Sequence, residues 1–156
     1  MQVPFDVVVT RHGPRILAVC RAVVGLNDAE DVWSETFLAA LRAYPRLDAG
    51  ANVEAWLVTI ARRKAVDLHR ARGRLAVPVA DVPATAASVP GPERNDDLWE
   101  AMRGLTERQR EAIAFHHLAG MPYAEVAAVV GGTEPAARRA AADGIKHLRK
   151  TLEARR

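Results

Sequence analysis

The chain has 156 residues, of which 49% are hydrophobic but only 5% aromatic, and its formal net charge is +3. That length suits one ordinary domain or two small ones, and an alanine-rich, aromatic-poor mixture favours small helical bundles over a β-sandwich. A single cysteine, Cys20, excludes an intramolecular disulfide and a cysteine-cluster zinc site. The chain shows no basic-then-apolar leader, and no apolar run approaches a membrane span, so the expectation is a soluble, cytoplasmic protein that does not engage a membrane. Charge is segregated into patches. Residues 1–74 carry 11 Lys/Arg against 8 Asp/Glu, and residues 96–156 carry 10 against 9.

In chain order, Phe5 to Val24 predicts a helix with apolar positions Phe5, Val8, Val9, Ile16, Leu17 and Val23. Gly13-Pro14 predicts a kink or break within it, and Gly25 a stop. Cys20 is expected as buried packing. In the following stretch, Asn27 with Glu30 three residues later resembles a capping box, and Asp28, Glu30 and Asp31 suit the positive end of a helix. Trp33, Phe37, Ala40, Leu41 and Tyr44 then form an apolar stripe, while Asp28, Asp31 and Glu35 lie on a separate acidic side. That side is either solvated dipole compensation or a docking face for a basic partner. Pro45 closes the helix, and Arg46 to Asn52 is a short polar loop.

Val53 to Arg74 is the most informative segment. Val53, Leu57, Ile60, Ala61, Ala65 and Leu68 form one apolar stripe, and Trp56, Thr59, Arg63, Arg70 and Arg74 fall on another side. From Arg62 to Arg74 six cationic residues stand against the single acid Asp67, and with an aromatic ring beside them they suit a polyanion with stackable bases. Residues 75–95 then hold Pro78, Pro83, Pro90 and Pro92 without a helical stripe, the composition of an extended linker.

The second half is dense in helix signals. Asp96 is placed to cap a short helix with Leu98, Trp99, Ala101 and Met102, in which Trp99 is expected in the core. Thr106 and Gln109 form a capping box ahead of a helix that Gly120 ends. Pro122 opens a short helix with Tyr123, Val126, Val129 and Val130 on its apolar side. Gly131-Gly132-Thr133 makes a tight turn, and Thr133 caps a last helix from Glu134 to about Ala154. A short helix, a glycine turn and a longer basic helix describe a helix-turn-helix, whose second helix enters the major groove. The five histidines are scattered, and His116 and His117 are expected on different sides of one helix, so no metal site is expected. There is no GxxxxGK[ST] loop, no nucleophile elbow and no convergent nucleophile, so neither a cofactor nor an enzyme activity is expected.

Three stretches in order, DAEDVWSETFLAALR, AWLVTIARRKAVDLHR and LTERQREAIAFHHLAGMPYAEVAAVVG, resemble the extracytoplasmic-function class of bacterial RNA polymerase sigma factors. The resemblance implies an all-α chain of two small helical domains. These are region 2 over 1–74 and a region 4 helix-turn-helix over 96–156, joined by the Pro-rich linker 75–95. It implies that Asp28, Asp31, Glu35 and Phe37 bind core RNA polymerase, which engages through its beta and beta-prime subunits. It implies that Arg46, Asp48, Asn52, Trp56, Thr59, Arg62, Arg63 and Arg70 recognise and melt the −10 element of promoter DNA. Thr133, Glu134, Ala136, Arg138, Arg139 and Lys146 would meet the −35 element, and an anti-sigma factor is an implied partner.

The chain departs from the family pattern at several positions. Ser34 stands where glutamine is usual and Arg63 where asparagine is common. EPAARRAAADGIKHL replaces a pattern such as GTVKSRLHRARKRL, with Ala140 for an arginine and Asp143 for a basic residue. Gly144 weakens a helix interior by about 1 kcal/mol relative to alanine. These changes predict weak or unusual −35 recognition. They keep two alternatives open: a sigma-like regulator acting mainly by protein contact, and a stand-alone helix-turn-helix regulator of duplex DNA.

Overall fold

The computed structural model describes residues 2–74 and 96–155, and among them every regular element is helical. The expected linker, 75–95, lies outside the described residues. The first domain comprises α1 (Phe5–Val24), α2 (Ala29–Ala43), a single 3-10 turn (Tyr44–Arg46) and α3 (Val53–Arg74). The second comprises α4 (Asp96–Arg103), α5 (Glu107–Ile113), a π turn (Ala114–Leu118), α6 (Tyr123–Val130) and α7 (Glu134–Ala154).

Helix α1 runs unbroken through Pro14, so of the expected kink or break the break does not occur. Tertiary packing carries it past the missing N–H. Gly13, without a side chain, lets the Trp33 ring lie against the helix, where a Cβ would sit 3.4 Å from Trp33 Cζ2. The Trp33 indole N–H donates to the Gly13 carbonyl at 2.9 Å. In α2 the buried positions are Ala29, Val32, Thr36, Phe37 and Ala40, with Tyr44 following in the 3-10 turn. Leu41, expected in this stripe, is 51% exposed, because four residues beyond Phe37 the 3.6-residue period has already turned it to the flank. The Asn27–Glu30 capping box is not formed. Asp28 is the N-cap, and it makes no side-chain cap because its carboxylate takes the Arg72 guanidinium of α3 at 2.6 Å.

A ladder of rings ties the first domain together. Trp33 meets Phe37 (centroids 4.6 Å apart), Phe37 meets Phe5 (6.4 Å), Phe5 meets Tyr44 (5.4 Å) and Tyr44 meets Trp56 (6.3 Å). Such tilted pairs contribute about 0.5–1.5 kcal/mol each beyond area burial. So few aromatic residues suffice because all five of those in this half stand in one connected row. Cys20 is buried, and burial pushes its thiol up to about 12, so it remains an inert packing group.

In the second domain the Thr106–Gln109 capping box forms in both directions. Beyond Ile113 the helix widens into the π turn. This brings the rings of His116 and His117 into edge contact, 4.8 Å apart, in place of the expected separation to different sides. Gly131 and Gly132 have φ of 80° and 120°, a backbone region open to glycine at little cost, and they make the α6–α7 turn. The Arg108 guanidinium closes the end of α6 by donating to the Gly131 carbonyl. Gly144 has a packing role that the sequence reading did not give it. Helix α7 crosses α5 so closely there that a Cβ would lie 2.6 Å from Ile113 Cδ1 and 3.3 Å from Gln109 Cβ.

The two domains pack along one seam. Helix α1 meets α4, α5 and the π turn, and Phe115, fully buried, shares a crevice with Val19, Cys20, Val23, Val32, Ala61 and Ala65. At the edge of this apolar seam, Arg62 of α3 donates through Nε to the Glu111 carboxylate of α5. Burial pushes the Glu111 carboxyl above its ordinary value, and the Arg62 hydrogen bond and charge offset only part of that.

Two outcomes follow from this packing. Gly144→Ala gains about 1 kcal/mol of helix propensity. It also drives a methyl against the buried Ile113, and overpacking of that kind costs about 1–3 kcal/mol. The variant should melt at a lower temperature than wild type by calorimetry, and a higher melting temperature contradicts the close crossing. For Glu111, a raised folded-state pKa gives a stability contribution that is fully present below the unfolded value of 4.5 and is lost as pH rises through the folded one. Urea unfolding of Glu111→Gln should therefore shift in the variant's favour relative to wild type between pH 4.5 and neutrality. A pH-independent difference would show that the carboxyl is not perturbed.

Candidate functional site

On α2, Glu30, Asp31, Ser34, Glu35, Leu38 and Leu41 are exposed. Asp31, Glu35 and Leu38 are spaced by four and three residues, so they line one side of the helix. Leu38 and Leu41 are each 51% exposed, an apolar flank beside two carboxylates. Neither was singled out from sequence as a surface residue. The available signal was their spacing from Asp31 and Glu35. Two residues expected on this face are not on it. Asp28 is half-buried and holds Arg72, and Phe37 is buried between Trp33 and Phe5.

The loop expected to meet bases is fixed at both ends. Gln2 Nε2 donates to the carbonyls of Tyr44 (3.0 Å) and Leu47 (2.7 Å), and the Tyr44 hydroxyl donates to the Val3 carbonyl. The Asn52 side chain accepts from the Ala55 N–H at 3.1 Å and so caps the start of α3, a structural task that occupies its carbonyl oxygen. Arg46 and Asp48 are exposed between these anchors.

Along α3 the apolar stripe forms as expected, with Leu57, Ile60, Ala61 and Ala65 buried and Val53 and Leu68 half-buried. On the other side Trp56 and Thr59 are half-buried, and Arg63 and Arg70 are exposed. Thr59 donates its hydroxyl to the Ala55 carbonyl at 2.8 Å. Trp56 is half-buried, with its ring tilted against that of Tyr44. The helix is braced to its neighbours by Arg15–Glu54 at 3.0 Å and by Arg72–Asp28. Arg62 is drawn aside into the seam by Glu111, an acid that sequence reasoning did not single out. A glutamate placed directly before the apolar run AIAF was the visible sign.

In the helix-turn-helix, Thr133 caps α7 by accepting from the Ala136 N–H at 3.2 Å. Glu134 pairs with Arg138 at 3.2 Å. The Arg138 guanidinium also lies 4.8 Å from the centroid of the Tyr123 ring, which stacks on His116 at 3.8 Å. His116 Nδ1 is 2.7 Å from the Met121 carbonyl, and since a carbonyl only accepts, that nitrogen carries the proton. The outer side of α7 thus presents Arg138 in a fixed pose, with Ala136, Arg139, Asp143 and Lys146 also exposed. His117 is held below its ordinary pKa by desolvation and by its neighbour His116, and His12 is held below it chiefly by desolvation. Among the described residues no cluster of three or more His, Cys, Asp or Glu could hold a metal, and no helix is long and apolar enough to cross a membrane.

An acidic-apolar face, a cationic-aromatic helix and a helix-turn-helix in one all-α chain coincide with what comparison with known proteins finds. Residues 8–75 match the model of Sigma-70 region 2, and residues 95–148 match that of Sigma-70, region 4. The ECF RNA polymerase sigma factor SigD of Mycobacterium tuberculosis is 34% identical over 155 residues, spanning 90% of this chain and 73% of that protein. RNA polymerase sigma factor CarQ of Myxococcus xanthus is 30% identical over 95% of this chain and 88% of that protein. Among solved structures, the sigma factor RpoE in complex with the anti-sigma factor NepR from Bartonella quintana matches with a TM-score of 0.80. It is 25% identical, and the match covers 97% of this chain and 98% of that one. CnrH in complex with the cytosolic domain of CnrY matches with a TM-score of 0.68 at 27% identity, over 96% and 88% of the two chains. The chain belongs to the ECF RNA polymerase sigma factors.

Proposed function

We propose that the protein binds core RNA polymerase in the cytoplasm and directs promoter recognition, melting and the start of transcription, acting by binding and not by catalysis. The observation that carries this reading is the two-sided first domain. Asp31, Glu35, Leu38 and Leu41 line one exposed face of α2, while Trp56, Thr59, Arg63 and Arg70 lie on α3. A duplex binder working alone has no use for an acidic face with an apolar flank. A protein that must hold a basic partner and DNA together needs both signs, kept apart so that they do not neutralise one another.

In this reading the α2 face docks on the beta-prime subunit, with Leu38 and Leu41 supplying desolvated contact beside the two carboxylates. Arg46, Asp48 and Asn52 meet an extruded base of the −10 element, and Trp56 offers a stacking surface next to the phosphate-binding Arg63 and Arg70. Extruding a base costs a few kcal/mol, and stacking on an aromatic ring returns about 1–3 kcal/mol of it. Residues 75–95 connect the two DNA-binding domains. Arg138, Arg139 and Lys146 approach the −35 element, where Asp143 on the same side repels phosphate, so recognition there is weak. Similarity to the sigma factor RpoE solved in complex with the anti-sigma factor NepR supports an anti-sigma factor as a partner of this chain.

Transcription in vitro with core polymerase tests these roles. The double variant Asp31→Ala/Glu35→Ala should bind core roughly tenfold more weakly. Arg63→Ala should bind core like wild type yet yield fewer open complexes, read by permanganate footprinting of unpaired thymines. Wild-type protein that supports no promoter-dependent initiation would defeat the proposal.

A further inference from the structure

The ion pairs Arg15–Glu54, Arg72–Asp28, Arg138–Glu134 and Arg155–Glu100 each join residues of one domain. Arg62–Glu111 joins the two domains. The Arg62 side chain is 28% exposed and that of Glu111 4%, so the guanidinium reaches from α3 into the seam while part of it still faces solvent. Arg62 adjoins Arg63 on the helix assigned above to promoter DNA. Its bond goes through Nε, so the pair uses one edge of the guanidinium.

We propose that Glu111 is an intramolecular latch: its carboxylate occupies, on Arg62, the place a DNA phosphate would take, and holds the two domains of the free chain closed until a polyanion displaces it. The interaction surface is the inner side of α1 and α3, and its resident occupant is α5 with the π turn. Phe115 fills the crevice between α1 and α3 and sets the register, so that Glu111 arrives opposite Arg62. The latch is built to yield. Burial opposes the charged carboxylate, so its grip on Arg62 is partly cancelled by the cost of keeping it dry. A DNA backbone brings several phosphates to Arg62, Arg63 and Arg70 together and releases counterions as it binds, an advantage that one buried carboxylate lacks. The closed chain is therefore disfavoured by DNA through direct competition for one cation, with no conformational signal needed.

This inference rests on the reading of α3 as a DNA-contacting helix, and its test separates the two. Small-angle scattering of the full chain reads closure. Glu111→Lys and Arg62→Glu each set like charges face to face and should enlarge the radius of gyration, and the double reversal Arg62→Glu/Glu111→Lys should return it to the wild-type value. Wild-type dimensions for both single variants overturn the latch. If circular dichroism shows that Glu111→Lys does not fold, Arg62→Glu, which leaves α5 untouched, decides alone. Competition is read by anisotropy with a labelled duplex carrying an unpaired bubble. Glu111→Lys should bind it roughly tenfold more tightly than Glu107→Lys, which adds the same charge one turn earlier at an exposed position. Equal affinities of these two variants overturn the competition. Should Arg62→Ala/Arg63→Ala bind the bubble as well as wild type, the DNA reading of α3 fails, while the scattering result still judges the latch.

Discussion

A carboxylate with almost no exposed surface must be answered by a cation, and at the seam between the two domains the cation is Arg62. That pairing ties the position of the second domain to α3, the helix proposed above to contact DNA. An apolar seam alone is non-directional, and Phe115 among Val19, Val23 and Ala65 would tolerate some sliding. A charged hydrogen bond is directional, and it fixes which turn of α5 faces which turn of α3. The pair need not add much net stability to do this, because desolvation cancels a large part of the attraction.

Within the first domain, charge is separated by the same kind of bracing. Arg72 holds Asp28 and Arg15 holds Glu54, so two acids beside α3 are engaged in ion pairs. Of the carboxylates left exposed in this domain, three, Glu30, Asp31 and Glu35, sit together on α2, while Asp6, Asp48 and Asp67 are spread over α1, the loop and α3. The ring ladder from Trp33 to Trp56 ties α2 to α3 through continuous side-chain contact, so in the proposed function a partner on α2 also positions α3. Rigidity matters here because a stacking ring must be in place when a base leaves the duplex; ordering it then would take back part of what stacking returns.

Much of this was legible in the residues. The 3.6-residue stripes gave the helices, the α7 bounds were read as Glu134 to about Ala154, and the Thr106–Gln109 box formed as expected because capping is local chemistry. What escaped the sequence was decided by contacts distant along the chain. Asn27 and Glu30 had the right spacing for a cap, but Arg72, forty-four residues from Asp28, claimed the turn. Pro14 had the local chemistry of a break, but an indole from α2 held the helix across it. Phe37 was assigned both to the apolar stripe and to the polymerase face, and burial settles it in the stripe. Glu111 drew no notice because its partner lies forty-nine residues away on the other domain. The π turn left no pattern that a helical period could detect.

The recognition helix shows how packing and function divide one element. Ala137, Ala141, Gly144 and Leu148 are buried at spacings of four, three and four, the inner stripe of α7 against α5. Small residues there are demanded by the close crossing at Gly144, so their abundance says nothing about DNA. Ala140 is half-buried on the border of that stripe, and an arginine at this position would leave the seam only by reaching around its neighbours. Asp143 is different, since it is fully on the outer side with Arg139 and Lys146. Of the two departures from the family pattern, then, Ala140 is accounted for by packing, and Asp143 is the one that bears on phosphate. Arg138, held between Glu134 and the Tyr123 ring, keeps its charge partly neutralised, so the outer side of α7 presents a fixed guanidinium of modest net pull. In the function proposed above, a second domain of that kind would add orientation more than affinity, and the α2 face and the α3 helix would supply most of the binding.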